Sequence, residues 1–124
     1  MKNILYVLFT LLLTSSCYDR LSMEGFDEEL WINSKEDCST YRLDVASLII
    51  EKQDILLKGT QNEVESLLGK AEEHELYNRN QKFFHYRLTP PNSCGDQKTI
   101  KFLSVRFNAI GRANLVQVML REPQ

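Results

Sequence analysis

Histidine and glutamate are the residue types in this chain that could do acid–base chemistry. The chain has two histidines, His74 and His85, and three closely spaced glutamates, Glu72, Glu73 and Glu75. A catalytic histidine needs a nucleophile or an acid beside it, and paired carboxylates can hydrolyse glycosidic bonds. No Gly-x-Ser-x-Gly motif and no plausible Cys–His pair accompanies His85, and the glutamates lie in a short polar connection. We therefore interpret His85 as a surface histidine and the glutamates as a solvated run, and we expect no catalytic site.

Cysteine is the second reactive residue type, and Cys17 follows a leader. Lys2 precedes ten residues, 4–13, that are apolar except for Thr10, and then come Thr14, Ser15 and Ser16. A run of this length is typical of a signal-peptide core and is too short to span a bilayer. The small residues before Cys17 resemble the lipobox of bacterial lipoproteins, although a leucine is usual at position 14. This resemblance implies a signal peptide over residues 1–16 and acylation of Cys17. The alternative is an ordinary secretory signal cut near Ser16, which would leave Cys17 a plain thiol.

Cys38 and Cys94 remain once Cys17 is assigned to the anchor. In an exported chain, two cysteines are most simply explained by a disulfide, because the periplasm is oxidising. Two buried free thiols or a metal site are the alternatives. The chain has no Cys-x-x-Cys, and its histidines do not keep ligand spacing with either cysteine, so we expect neither a metal nor a cofactor.

Composition limits the classes of protein that the chain could form. Its 124 residues are 43% hydrophobic and 26% charged, with a net charge of −2. These values fit one ordinary globular domain and exclude a large multidomain enzyme and a strongly basic nucleic-acid binder.

Two helices are predicted in the first half of the domain. Residues 17–30 show no clear hydrophobic period, and we interpret them as a tether that leads to a domain over 31–124. Residues 39–58 have apolar side chains at helical spacing, with Ser39 or Thr40 as the cap and Gly59 ending the helix in the left-handed conformation. Residues 60–63, Thr-Gln-Asn-Glu, form a capping box for a second helix that ends at Gly69.

Alternating hydrophobicity predicts three strands in the second half, over residues 82–88, 100–107 and 115–120. In the first of these, Phe84, Tyr86 and Leu88 share one face. Residues 73–77 are a weaker candidate strand that would pair with the first across residues 77–80, and Asn108–Gly111 is predicted to be a turn. The predicted fold is therefore α+β (α-α-β-β-β), with two N-terminal helices packed on one face of a three-stranded antiparallel sheet.

Short motifs resemble the SmpA/OmlA (BamE-like) superfamily over about residues 59–120. The residues that carry the resemblance are Gly59-Thr60, Glu63-Val64, Leu67-Leu68-Gly69-Lys70, Phe107-Asn108 and Gly111-Arg112. Ala71 departs from the pattern, which usually has proline there, and the insert around Cys94 lies outside it. The resemblance implies an outer-membrane lipoprotein with an α-α-β-β-β fold, which is also the fold of β-lactamase-inhibitor proteins.

The expected function follows from the anchor and from the resemblance. We expect a lipid-anchored protein of the bacterial envelope, at the outer membrane, that binds the membrane through Cys17 and a protein partner through its domain. It would be a non-enzymatic binding or scaffolding module, with outer-membrane assembly as the implied context and no nucleic-acid partner. The alternative is an inhibitor-like or ligand-binding periplasmic domain, which an exposed aromatic patch on residues 83–88 would favour.

Overall fold

The fold is α+β and contains a four-stranded antiparallel sheet. A computed structural model describes residues 20–95 and 98–122. Its helices are α1 (Glu28–Asn33), α2 (Tyr41–Glu51) and α3 (Gln61–Leu68), and its strands are β1 (Glu73–Tyr77), β2 (Gln81–Arg87), β3 (Ile100–Phe107) and β4 (Ala113–Arg121). Short 3₁₀ turns occupy Gln53–Ile55 and Asn92–Cys94.

The sheet has one more strand than the sequence predicted, so the three-stranded prediction is wrong. Residues 73–77 form β1, which pairs with β2 through a tight hairpin. Arg79 and Asn80 both have φ near +60°, and the Gln81 amide donates to the Asn78 carbonyl. Positive φ at both central positions is the type I′ geometry, whose twist suits a hairpin. The strand order β1-β2-β3-β4 follows the order of the chain.

One face of the sheet supports the core. Phe84, Tyr86, Leu103, Val105 and Phe107 are buried on this face, as their alternation predicted. Helices α2 and α3 cover it with Ile49, Val64, Leu67 and Leu68. We call this side of the molecule the helical layer and the opposite side of the sheet the outer face.

The first predicted helix is shorter than expected. Helix α2 ends at Glu51, and Lys58 rather than Gly59 adopts the left-handed conformation, with φ 68°. Gly59 is buried, and a Cβ there would lie 2.9 Å from the Leu56 carbonyl oxygen, so close approach explains this glycine. The Lys58 amide then donates to Ala113 of β4. The predicted capping box of Thr60 and Glu63 is confirmed, as is the end of α3 at Gly69.

Part of the predicted tether is packed structure. Met23 is buried, Leu21 and Phe26 pack against the core, and α1 begins at Glu28, where Asp27 caps it. The buried Trp31 donates from Nε1 to the Leu68 carbonyl at 2.8 Å. The packed structure therefore begins well before residue 31, where we placed the domain boundary.

The predicted signal peptide and Cys17 lie outside the described residues. Within residues 20–95 and 98–122, no helix combines the length and the apolar character needed to cross a bilayer.

Candidate functional site

A row of polar side chains crosses the outer face of the sheet. The register of the four strands aligns Glu73, His85, Ser104 and Gln117. His85 is 2% exposed and Ser104 is fully buried, although the described helices pack on the opposite face of the sheet. The rings of Phe83 and Phe102 flank His85, at 5.4 and 6.2 Å between centroids. Our prediction of a surface histidine is therefore wrong, because neighbouring side chains on the sheet bury the ring.

Both nitrogens of His85 have partners. Nε2 lies 2.7 Å from the Glu75 carboxylate, and Nδ1 lies 2.6 Å from the Ser104 hydroxyl. Because a carboxylate only accepts, Nε2 carries a proton. In the neutral ring, Nδ1 then accepts from Ser104. The hydrogen bonds fix the ring orientation and satisfy a buried polar group that would otherwise be costly.

The three glutamates are exposed, as the prediction of a solvated run requires, and each also contacts a partner side chain. Glu72 pairs with the buried Arg42, Glu73 pairs with Arg121 at 2.9 Å, and Glu75 contacts His85. The Glu73–Arg121 pair joins the two edge strands across the outer face. The Arg121 guanidinium also lies over the Phe102 ring, 4.5 Å from its centroid.

These side chains line an open depression of about 290 Å³. Its lining residues are Glu73, His74, Glu75, His85 and Arg121. Glu75, His85 and Ser104 are the residue types of a hydrolytic relay. Ser104, however, lies mid-strand and is inaccessible, so its hydroxyl cannot reach a substrate in this conformation. Across the described part of the chain, no group of three His, Cys, Asp or Glu residues is arranged to hold a metal ion. The arrangement stabilises the sheet and offers surface carboxylates, an imidazole edge and a guanidinium.

A second polar cluster lies in the core. Arg42 donates to the carbonyls of Trp31 and Arg87, and its guanidinium stacks on the Trp31 ring, 4.4 Å from the centroid. The Tyr86 hydroxyl donates to the Gly69 carbonyl at 2.8 Å. Burial raises the pKa of the Tyr86 phenol, Glu65 and Glu72 raise it further, and Arg42 opposes them. This cluster ties α1, α2 and β2 together.

The structure joins Cys38 and Cys94 in a disulfide with a Cα–Cα distance of 5.5 Å. The bond connects the segment before α2 to the loop between β2 and β3. Arg87 holds the same loop by donating to the carbonyls of Thr89 and Pro90. The loop is therefore fixed by a covalent bond and by a guanidinium.

The edge strand β4 ends in exposed apolar side chains. Val118, Met119 and Leu120 are 41%, 39% and 66% exposed. Helix α2 contacts β4, and the Lys58 amide donates to the carbonyl of Ala113, at the start of the strand. The exposure of residues 118–120 shows that this end of β4 is left uncovered. We call residues 118–120 the β4 corner.

Two features of these sites were missed from the sequence. The alternation of β2 and β3 already placed His85 and Ser104 off the core face, but a long connection separates the two strands. The loop between two strands sets their register only when it is short. The pairing of His85 with Ser104 therefore could not be predicted from the sequence. The buried Arg42 also had no signal beyond being a charge on a predicted apolar helix.

Comparison with protein-family models, with curated proteins and with solved structures found no match to this chain. The resemblance to the SmpA/OmlA superfamily therefore enters below only as a proposal.

Proposed function

We propose that this protein is a lipid-anchored, non-enzymatic binding or scaffolding module of the bacterial envelope. The leader and the lipobox-like residues before Cys17 support the anchor. The disulfide supports an oxidising compartment, since such bonds are rare in cytosolic proteins. The motifs of the SmpA/OmlA superfamily favour the outer membrane and its assembly as the setting.

The observation that carries the binding role is the β4 corner. A nine-residue edge strand without proline leaves backbone groups on its open side, and such an edge can pair with a strand of another chain. The other edge, β1, is only five residues long and carries two glutamates, which disfavour strand addition. Apolar side chains on both faces of the β4 corner would anchor an extended, apolar segment of a protein partner.

The inhibitor-like alternative has less support from the surface. An exposed aromatic patch on β2 would favour it. Phe84 and Tyr86 are buried in the core, and Phe83 is partly buried beside Tyr77, with 5.6 Å between the ring centroids. We therefore place the partner at the β4 corner.

The binding role is tested with Leu120→Glu and the matched control Ile110→Glu. Ile110 is 82% exposed and lies in the β3–β4 turn, away from the β4 corner. Leu120 is opposite Lys101 on β3, so a glutamate there can pair with the lysine and the fold is kept. Replacing the apolar Leu120 side chain by a charged one removes its contact with an apolar partner and should weaken binding by about ten-fold or more.

The measurement uses protein purified from detergent-solubilised membranes, with a photo-cross-linking residue at position 118 of the otherwise wild-type chain and of both variants to identify the partner. The same partner should co-purify with the wild type and with Ile110→Glu, and should be lost from Leu120→Glu. Equal recovery with both variants would contradict the assignment of the β4 corner. If the wild type cross-links to no protein, the binding role itself is contradicted.

A further inference from the structure

The start of the described chain lies on the helical layer. The Arg20 guanidinium donates to the Ser66 carbonyl of α3, and the Lys52 ammonium donates to the Glu24 carbonyl. The Asp27 amide donates to the Tyr41 hydroxyl of α2 at 2.8 Å. Residues 20–27 therefore run along the outside of the helices, on the side of the molecule opposite the outer face of the sheet.

Covalent geometry then limits how far the domain can lie from its anchor. Cys17 precedes Arg20 by three residues, and an extended chain spans at most about 3.6 Å per residue. The two Cα atoms can therefore be no more than about 11 Å apart. An acylated Cys17 lies at the boundary between lipid headgroups and acyl chains, so Arg20 must remain within reach of the headgroups.

We propose that the helical layer lies against the surface of the lipid bilayer, with the outer face of the sheet directed away from it. This inference rests on the proposed anchor at Cys17. The depression lined by Glu73 and His85 then faces away from the membrane, and the edge of β4 lies at the side of the domain, accessible to a partner.

Attachment rather than charge sets this orientation. Glu24 and Asp27 are exposed on the helical layer near Arg20, and the whole chain has a net charge of −2. These carboxylates give no attraction to anionic headgroups. The orientation should therefore be the same on a bilayer of neutral phosphatidylcholine, and the experiment below uses this lipid.

Two native methionines report the orientation. The chain has three methionines, of which Met1 lies in the predicted signal peptide. Met23 is in the segment on the helical layer, and Met119 projects from the outer face of the sheet, in register with Phe102. Methyl-labelled methionine therefore gives one signal on each side of the domain.

The experiment attaches the lipid chemically. With Cys38 and Cys94 joined in the disulfide, Cys17 is the single free thiol of a chain that begins there, and it can be coupled to a maleimide phospholipid. The product is inserted into phosphatidylcholine nanodiscs that contain a gadolinium-chelating headgroup. We expect paramagnetic broadening of the Met23 methyl to be several-fold larger than that of Met119. Equal broadening, or stronger broadening of Met119, would overturn the orientation.

A longer tether is the control. An insert of about twelve Gly and Ser residues between Asp19 and Arg20 adds a flexible coil of about 19 Å. The contrast between Met23 and Met119 should then decrease markedly. If the contrast is unchanged, the short tether is not its cause and the argument fails. Failure of the proposed function is read separately, from the absence of acyl mass on Cys17 in protein isolated from membranes.

Discussion

At the scale of single residues, the fold depends on polar side chains that are buried with their partners. His85 and Ser104 satisfy each other on the outer face, and Arg42 satisfies three segments in the core. Among the described residues, no buried side-chain nitrogen or oxygen atom lacks a hydrogen-bond partner. A buried polar group without a partner destabilises the fold by more than a hydrogen bond stabilises it. Alternative packings that separate these partners are therefore disfavoured.

Because of Tyr86, the free energy of unfolding is expected to vary with pH in the alkaline range. Burial raises the pKa of its phenol in the folded protein above the ordinary value of about 10. Above that pH the unfolded chain loses the proton while the folded protein keeps it. The unfolded state then binds fewer protons, so the free energy of unfolding falls as the pH rises, and it is unaffected by this group below about pH 9.

We expect Tyr86→Phe to remove this alkaline decline. At neutral pH the variant should lose about 1 kcal/mol, because the hydrogen bond to Gly69 is missing. Denaturant unfolding between about pH 8 and pH 11 measures both effects. Tyr77→Phe is the control, since Tyr77 is half-exposed. A decline of equal slope in Tyr86→Phe would contradict the assignment.

At the scale of elements, the sequence predicted the strands β2 and β3 and a helix cap, but not the contacts between residues that are distant in the chain. The alternation of β2 and β3 and the Thr60–Glu63 capping box depend on neighbouring residues, and both are confirmed. β1 was under-predicted because its five residues are all exposed, so no hydrophobic alternation marks it. The partners of His85, Glu73 and Glu75 come from the pairing of strands, and Glu72 meets Arg42 of α2 through tertiary packing, neither of which local sequence encodes.

The left-handed backbone conformation of Lys58 allows a test of backbone strain between two elements. A non-glycine residue in this conformation is strained by roughly 1–2 kcal/mol. The Lys58 amide donates to the Ala113 carbonyl of β4, and the Lys58 side chain is exposed. Lys58→Gly should therefore raise the free energy of unfolding by about 1 kcal/mol, after the extra chain entropy of glycine is subtracted.

Urea unfolding with the disulfide intact measures this gain. Lys70→Gly is the matched control, because Lys70 is also an exposed lysine between elements but has no positive φ. It should lower the stability slightly. A loss of stability in Lys58→Gly as well would show that strain at Lys58 is not a significant cost.

At the scale of the whole molecule, the disulfide is the longest-range covalent constraint in the described chain. Cys38 and Cys94 are 56 residues apart. Closing a loop of this size restricts the unfolded chain by about 4 kcal/mol in the chain-entropy model. A domain of this size has a total stability of about 5–15 kcal/mol, so the bond is a large fraction of it.

The double variant Cys38→Ser, Cys94→Ser should therefore lose about 4 kcal/mol of unfolding free energy. Chemical denaturation gives the value, and the wild type under reducing conditions should behave like the variant. A loss below about 1 kcal/mol would contradict the chain-entropy estimate.

If the chain is exported as proposed, the order of strands in the sheet affects how it folds. Each strand pairs with the strand made just before it, so a translocated chain can extend its sheet at one growing edge as it emerges. No strand has to insert between two that are already paired. The disulfide of Cys38, however, cannot form until Cys94 has emerged, which happens only after the first two strands. In such a chain the disulfide therefore does not constrain β1 and β2 while they emerge.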